Sequence, residues 1–496
     1  MEHSDAAQVA ALLGAFGAVL VILGRGRTAP LAGFGLLGIA TLLLGRSLAG
    51  DDDVELLLTE PTGIALLAVG AAAATLLAVT FSRYPAVVPV VLLGAAPFRV
   101  PVELGHEQAF LLLPLYLVLA GSVLALAVGC IRGASPPPIP RLIAFPLTAF
   151  VLYASVSYLW THDERQGGIA LAFFVFPFVA GFGVLARTTL APWLPRALAF
   201  TLVALGGLFA AVGLWQAQTR TLFLARDVEV ANAYTTFFRV TSLFKDPSLY
   251  GRYLVIPIAV LLVILLFRRG RPLDWALIAG IVAFLFAGLY FSYSQSSFVA
   301  LFVVAFAFAV LGSGRRLRIV FVCCALAAAF AAAGFAAAAV EGQSAKEVTS
   351  GRSRLVEITL DAFMINPAIG VGIGGQPLAS AEENGRRTSR RSASHTTPLT
   401  VLAELGVVGF ALYAWLLGAA AWALVLVTRH RRLLGLGLAA VLSVLFVHSL
   451  FYAGFFEEPL MWGVLGMAAA VLSSIPARAA ELAPEAASQP PPRLAH

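Results

Sequence analysis

The chain has 496 residues, 60% of them hydrophobic and 12% charged, with a formal net charge of +7 and a mean hydropathy of +0.90. A soluble domain carries about 25% charged residues, so this composition excludes a water-soluble core under a polar skin and requires an integral membrane protein. The basic residues sit in short clusters between apolar runs, as in cytoplasmic loops, and so do not indicate nucleic-acid binding.

In chain order, apolar runs fall at 7–23, 30–46, 62–82, 84–97, 107–130, 142–160, 168–186, 197–216, 249–267, 275–293, 296–312, 319–340, 398–427, 433–450 and 459–474. Most approach the ~20 residues needed to span a bilayer. They predict an all-α polytopic membrane protein with about 12–15 transmembrane helices and a large extracytoplasmic loop before the last three. Met1-Glu2-His3-Ser4-Asp5 lacks the basic start of a signal peptide, so the first run is expected to remain as a helix. The short 84–97 run, bracketed by Pro85 and Pro97, fits a full span, a re-entrant segment or a lid. Five regions result: N-terminal additional helices (1–82), core helices with an outer loop at about 217–248 (83–340), a large outer loop (341–397), the last helices (398–475) and a disordered cytoplasmic tail (476–496) containing Pro490-Pro491-Pro492. Cys130, Cys323 and Cys324 lie in apolar runs, without the spacing of a metal site or disulfide framework.

Alternating the runs places Arg25/Arg27, Arg132/Arg141, Arg187/Arg196, Arg268/Arg269/Arg271, Arg315/Arg316/Arg318 and Arg429/Arg431/Arg432 on one side, which is cytoplasmic by the positive-inside bias. Asp51-Asp52-Asp53, His162-Asp163-Glu164 and the loops at 217–248 and 341–397 then fall outside. The spans themselves are nearly free of charge, and the candidate chemistry gathers at the outer face.

The longest outer loop opens with Arg352-Ser353-Arg354, has helical periodicity over 355–366 and stops at Pro367. Gly370-Val371-Gly372-Ile373-Gly374-Gly375 matches a dinucleotide-binding pattern by letter. No strand–turn–helix unit surrounds it, and a tight backbone turn is expected instead. Arg386, Arg387, Arg390 and Arg391 then break the positive-inside tendency. They suit either a solvated loop against anionic lipid head groups or an anion site in which guanidinium forks meet phosphate oxygens. His395 stands beside these cations at the mouth of the next helix, with Glu404 about two and a half turns further on. Neighbouring positive charge favours a neutral imidazole, as a general base requires. In the other long loop, Asp246 before Pro247 fits a helix cap. Arg239 lies in an apolar, aromatic context where a guanidinium needs a partner, either Asp246, Glu404 or a ligand.

Three segments resemble the O-antigen ligase and polymerase family in order, spacing and outer-side placement. They are Arg239…Phe244-Lys245-Asp246-Pro247-Ser248, Gly351-Arg352…Pro367…Gly370-Val371-Gly372, and His395-Thr396-Thr397-Pro398-Leu399…Ala403-Glu404-Leu405-Gly406-Val407-Val408-Gly409. The resemblance covers roughly 235–410 and implies a glycosyltransferase of the bacterial inner membrane. Its donor would be an undecaprenyl-diphosphate-linked glycan, and its acceptor lipid A–core, another glycan or a protein on the periplasmic side. It implies no cofactor, metal or nucleotide sugar. By motif position Arg239 corresponds to the family's first arginine, Arg352 (with Arg354 as its rival) to the loop arginine and His395 to the histidine. Two positions depart: Ser248 stands where an asparagine is usual, and Ser292-Tyr293-Ser294-Gln295 has Gln295 where the family turn has arginine.

The expected reaction is glycan transfer with diphosphate as leaving group. Arg239 and Arg352 would stabilise the charge that develops on the diphosphate. His395 would accept or orient the acceptor proton, and Arg386, Arg387, Arg390 and Arg391 would steer anionic substrates to the surface. Two alternatives stand beside it. One is a transporter or flippase for lipid-linked sugars, which would place its site near the bilayer midplane. The other is a metal-dependent glycosyltransferase centred on Asp51-Asp52-Asp53.

Overall fold

The computed structural model describes residues 2–49, 55, 59–104, 107–235, 237–268, 270–312, 314, 352–383, 394, 396–452 and 454–475. The expected span at 319–340, the Asp51-Asp52-Asp53 triplet and the tail at 476–496 lie outside the described residues. Among the described residues twelve helices are long and apolar enough to cross a membrane, and the shorter apolar helices Pro85–Ala95 and Pro459–Ser473 accompany them. The protein is an all-α polytopic membrane protein. In hydrocarbon every backbone polar group must pair internally, so long apolar sequence resolves into helices.

The first two helices, α1 (Glu2–Leu23) and α2 (Thr28–Leu48), form a hairpin wedged into the body of the bundle. Gly14 lies directly against the Phe176 ring, and Arg187 Nη2 donates to the Val21 carbonyl at 2.7 Å. By contrast α3 (Pro61–Arg83) rests mainly on α5 (Leu113–Ile131) and turns its other faces outward, as a lipid-facing helix can.

Between them, the 84–97 run forms a short 3₁₀ turn, Pro85–Val87, and then α4 (Val88–Ala95). The helix expected from residue 107 is not found there. Val100–Leu104 and Glu107–Leu111 form an antiparallel hairpin instead, paired from Val100↔Leu111 to Leu104↔Glu107. Pro114 explains the difference. It is tolerated in the first turn of α5, but a helix running back to 107 would bury it in the interior, where its ring clashes with the carbonyl four residues earlier.

The body continues through α6 (Arg141–Val156), α7 (Glu164–Ala170), a π turn at Leu171–Val175 and α8 (Phe176–Leu185). It proceeds through α9 (Leu194–Thr219), the short α10 (Arg226–Asn232), α11 (Pro247–Phe267), α12 (Pro272–Tyr290) and α13 (Gln295–Gly312). After the outer-loop helices α14 (Arg352–Ile365) and α15 (Gln376–Glu383) come α16 (Thr397–His430), α17 (Arg432–Ser449) and α18 (Pro459–Ser473). Helix α11 is central, packed by α9, α12, α13 and α17.

The loops sort to two ends. Arg27 approaches Gly133, Arg187 reaches Val21, and Arg432 stacks over Phe267, so the arginine-rich turns share one end. The opposite end gathers the hairpin, the 157–166 turn, the 220–248 loop, the 291–294 turn and the 366–376 connector. Lys245 lies over the Phe110 ring, Arg239 meets Ser292, and Thr161 meets Ile373 there.

Candidate active site

The site begins with a backbone exchange. Residues 366–376 join α14 to α15, and Gly370, Gly372 and Gly374 adopt φ of +74°, +85° and +72°, a region that glycine enters freely. Helix α16 is broken at Gly406, with φ 64° and ψ −168°. An unbroken helix would pair Val407 N–H with the Ala403 carbonyl and Val408 N–H with that of Glu404. Here Val407 and Val408 donate to the Pro367 and Ala368 carbonyls at 2.9 and 3.3 Å. The carbonyls of Ala403 and Glu404 accept from Val371 and Gly372 at 3.0 and 2.8 Å. Each helical bond is replaced by one to the connector, so no backbone group is orphaned.

The connector's far edge is pinned to the 157–162 turn. His162 N–H donates to the Val371 carbonyl at 3.0 Å, Thr161 Oγ1 to that of Ile373 at 2.8 Å, and Ile373 N–H to Ser157 Oγ at 3.1 Å. The glycine run is therefore a turn between two helices, outside any dinucleotide-binding unit.

This scaffold closes one wall of a cavity of about 250 Å³. Phe150, Phe174 and Trp462 give it apolar sides, while Gln166, Gln376, Ser394, Thr397, Thr400, Glu404 and Glu457 supply polar groups. The Glu404 carboxylate accepts from the backbone N–H groups of Gly374 and Gln376. Gln376 in turn donates to Ser380 Oγ at 2.8 Å, and its Oε1 accepts from Ser394 N–H at 3.0 Å. The Glu457 side chain is exposed where it lines the cavity, but the protein packed around its carboxyl pushes it up; Arg99 and Arg252 pull it back down, and Glu458 opposes them.

Behind Glu457 lies a second, buried layer. Arg252 Nη1 donates to Glu458 Oε2 at 2.8 Å, Tyr253 Oη to Glu458 Oε1 at 2.7 Å, and Arg252 Nη2 lies 3.2 Å from His448 Nδ1. His448 Nε2 is 3.2 Å from Ser296 Oγ, which meets Ser294 at 3.1 Å. Glu458 also caps α18 ahead of Pro459, the same device that Asp246 and Pro247 use on α11. The network ties α11, the 292–297 turn, α17 and α18 together. A charged group inside a span requires such a partner.

Of the residues expected from sequence, Asp246 is the N-cap of α11, accepting from Ser248 N–H at 2.6 Å and Leu249 N–H at 3.3 Å. Arg239 is half-buried. Its Nε donates to the Ser292 carbonyl at 3.4 Å, and its backbone is clasped by Asn232. Burial pushes the Arg239 guanidinium down, and the nearby Asp246 carboxylate pushes it back up. Among the described residues Arg239 makes no ion pair with Asp246 or Glu404. Glu404 reaches the cavity, whereas Arg354 is half-buried near the start of α14 and Arg352 is that helix's first residue. His395, Arg386, Arg387, Arg390 and Arg391 lie outside the described residues. Their chain neighbours Ser394 and Thr397 line the cavity.

Sequence reasoning missed Gln166, Gln376, Glu457 and the Arg252–His448–Glu458 network. The statement that the spans are nearly free of charge is corrected by Arg252, which lies within Pro247–Phe267 and was a legible signal. Among the described residues no three metal-ligating side chains converge.

The fold and this cavity define a multi-pass membrane protein with a polar, glycine-scaffolded site at the end opposite its arginine-rich loops. Residues 280–414 match the family described as O-antigen ligase, a stretch that holds the 292–297 turn, the connector, Glu404 and the broken helix. The match supports assignment to the O-antigen ligase/polymerase family and an O-antigen ligase-type function in surface polysaccharide biosynthesis. No curated protein matches the chain.

Proposed function

We propose that the protein transfers a glycan from undecaprenyl diphosphate to an acceptor hydroxyl at the outer face of the bacterial inner membrane. The observation that carries this reading is that the family-matched stretch builds much of the cavity wall, including Glu404, Ser394 and Thr397, the last two being near neighbours of His395 in the sequence. A cavity with amide, hydroxyl and carboxylate groups on apolar walls suits a sugar, whose hydroxyls need several donors and acceptors and whose ring faces stack on aromatic side chains.

Arg239 and Arg352 hold the diphosphate and stabilise its charge as the glycosidic bond breaks. His395 receives the proton of the acceptor hydroxyl as it attacks the anomeric carbon, and undecaprenyl diphosphate leaves. Arg354, Arg386, Arg387, Arg390 and Arg391 gather anionic donor at the membrane surface. Asp246 fixes the start of α11 beside Arg239, and Glu404 anchors the connector. The reaction needs no metal.

The raised carboxyl of Glu457 in the cavity favours a second reading, in which this carboxylate is the proton acceptor. The test is transfer by the purified protein in lipid, in the presence of chelator, comparing wild type with His395→Ala, Arg352→Ala and Glu457→Gln. The first reading expects His395→Ala and Arg352→Ala to lose transfer while remaining folded, with Glu457→Gln active. Loss with Glu457→Gln and retention with His395→Ala reverses the assignment of the base. Dependence on a divalent ion overturns the metal-free mechanism.

A further inference from the structure

A second cavity, of about 250 Å³, opens at the arginine-rich end between α9, α11 and α17. Its mouth carries the exposed guanidiniums of Arg196 and Arg268, and its interior is apolar, with Leu202, Leu438 and Val441 among its lining. Those three residues also line a deeper, almost wholly apolar cavity of about 110 Å³ that reaches in toward α4, α8 and α18. Among the described residues neither Arg196 nor Arg268 has an ion-pair partner.

The geometry points to a specific seat for an anionic glycerophospholipid, with its phosphate between Arg196 and Arg268 and an acyl chain in the apolar cleft. Three observations converge on that occupant. The cleft lies between membrane-spanning helices, so its lining meets hydrocarbon rather than water. Its cations stand at the mouth, where a head group sits, and basic pockets between transmembrane helices recognise anionic head groups in this way. The planar guanidinium fork matches phosphate oxygens. An uncharged lipid would fill the cleft but leave both arginines without a counter-charge, and a zwitterionic lipid would offer a phosphate whose charge its own ammonium offsets, so the two cations favour a lipid of net negative charge. This site is separate from the glycan cavity at the opposite end and does not depend on the proposed transfer reaction.

Gly437 provides an independent handle. It lines the cleft, and a Cβ built on it meets nothing within 4 Å, so a larger side chain there fills the cleft without disturbing α17. The experiment is native mass spectrometry of the full-length protein in detergent, titrated with phosphatidylglycerol, phosphatidylethanolamine or sn-glycerol 3-phosphate. Wild type should retain phosphatidylglycerol with at least tenfold preference over phosphatidylethanolamine and should not retain glycerol phosphate. Arg196→Ala/Arg268→Ala should erase the preference, because two head-group contacts of this kind together contribute a tenfold or greater affinity difference. Gly437→Leu should reduce retention of both lipids. Equal retention of the two lipids by wild type, or an unchanged preference in the double variant, would overturn the proposal. Retention of glycerol phosphate alone would assign the arginines to a free anion.

Discussion

Gly406→Ala is the sharpest single perturbation of the site's scaffold. The residue's φ of 64° and ψ of −168° lie in a region that is essentially open only to glycine, and occupying it with a side chain costs of order 1–3 kcal/mol. The new Cβ would also sit 2.6 Å from the Ile369 backbone nitrogen and closer still to the Ala368 carbonyl. Backbone cannot rotate away as a flexible side chain can, so the connector must move. Movement breaks the exchanged bonds from Val407 and Val408 to Pro367 and Ala368, worth about 1 kcal/mol each. The expected loss is therefore about 3–5 kcal/mol, with Glu404 and the cavity wall displaced. Gly418→Ala is the matched control. It lies in the same helix, its Cβ meets nothing within 4 Å, and alanine is favoured over glycine in a helix interior by up to about 1 kcal/mol. Thermal unfolding in lipid nanodiscs, followed by tryptophan fluorescence, reads both. A Gly406→Ala protein as stable as wild type, with glycan transfer intact, would refute the claim that the broken helix holds the site.

Replacing one member of the buried Arg252–Glu458 pair, 2.8 Å apart, leaves an uncompensated charge. Arg252→Met alone should cost about 3–5 kcal/mol, and Arg252→Met with Glu458→Gln should recover much of it; additive losses in the double variant would show that the two do not act as a pair. Glu457 gives a pH signature. Its carboxyl is raised in the folded protein, so the neutral form is favoured, and its contribution to stability is fully present below the unfolded carboxyl pKa and lost as pH rises through the folded value. Glu457→Gln, neutral at every pH, should flatten that part of the melting-temperature profile, whereas a wild-type-to-variant difference that does not change with pH would contradict the assigned cause.

The membrane class, most spans, the helix ending before Pro367 and the capping of α11 by Asp246 were legible in the sequence, because each depends on local composition or on a residue's immediate neighbours. The broken helix was not. Gly406 reads as one more glycine in an apolar run, and only the partner segment some forty residues earlier, Pro367 to Gly372, makes its break favourable. The hairpin at 100–111 was hidden for a related reason, since its apolar letters continue into α5 and only Pro114 marks the boundary. For the site, Arg239, Asp246 and Glu404 stood out as charges beside apolar sequence. Glu457 and Glu458 match no motif in the sequence, and the meeting of Glu458 with Arg252, some two hundred residues earlier, is a product of tertiary packing.

Glycan transfer itself is tested most directly by following both products in one reaction. Purified protein in lipid is supplied with an undecaprenyl-diphosphate-linked glycan and candidate acceptors, and acceptor-bound glycan and freed undecaprenyl diphosphate are quantified together. The two should appear in a one-to-one ratio in the presence of chelator, with neither formed by Arg352→Ala. Recovery of the donor intact, or its appearance unbroken on the other face of the membrane, would contradict a transferase and favour a carrier of lipid-linked sugars.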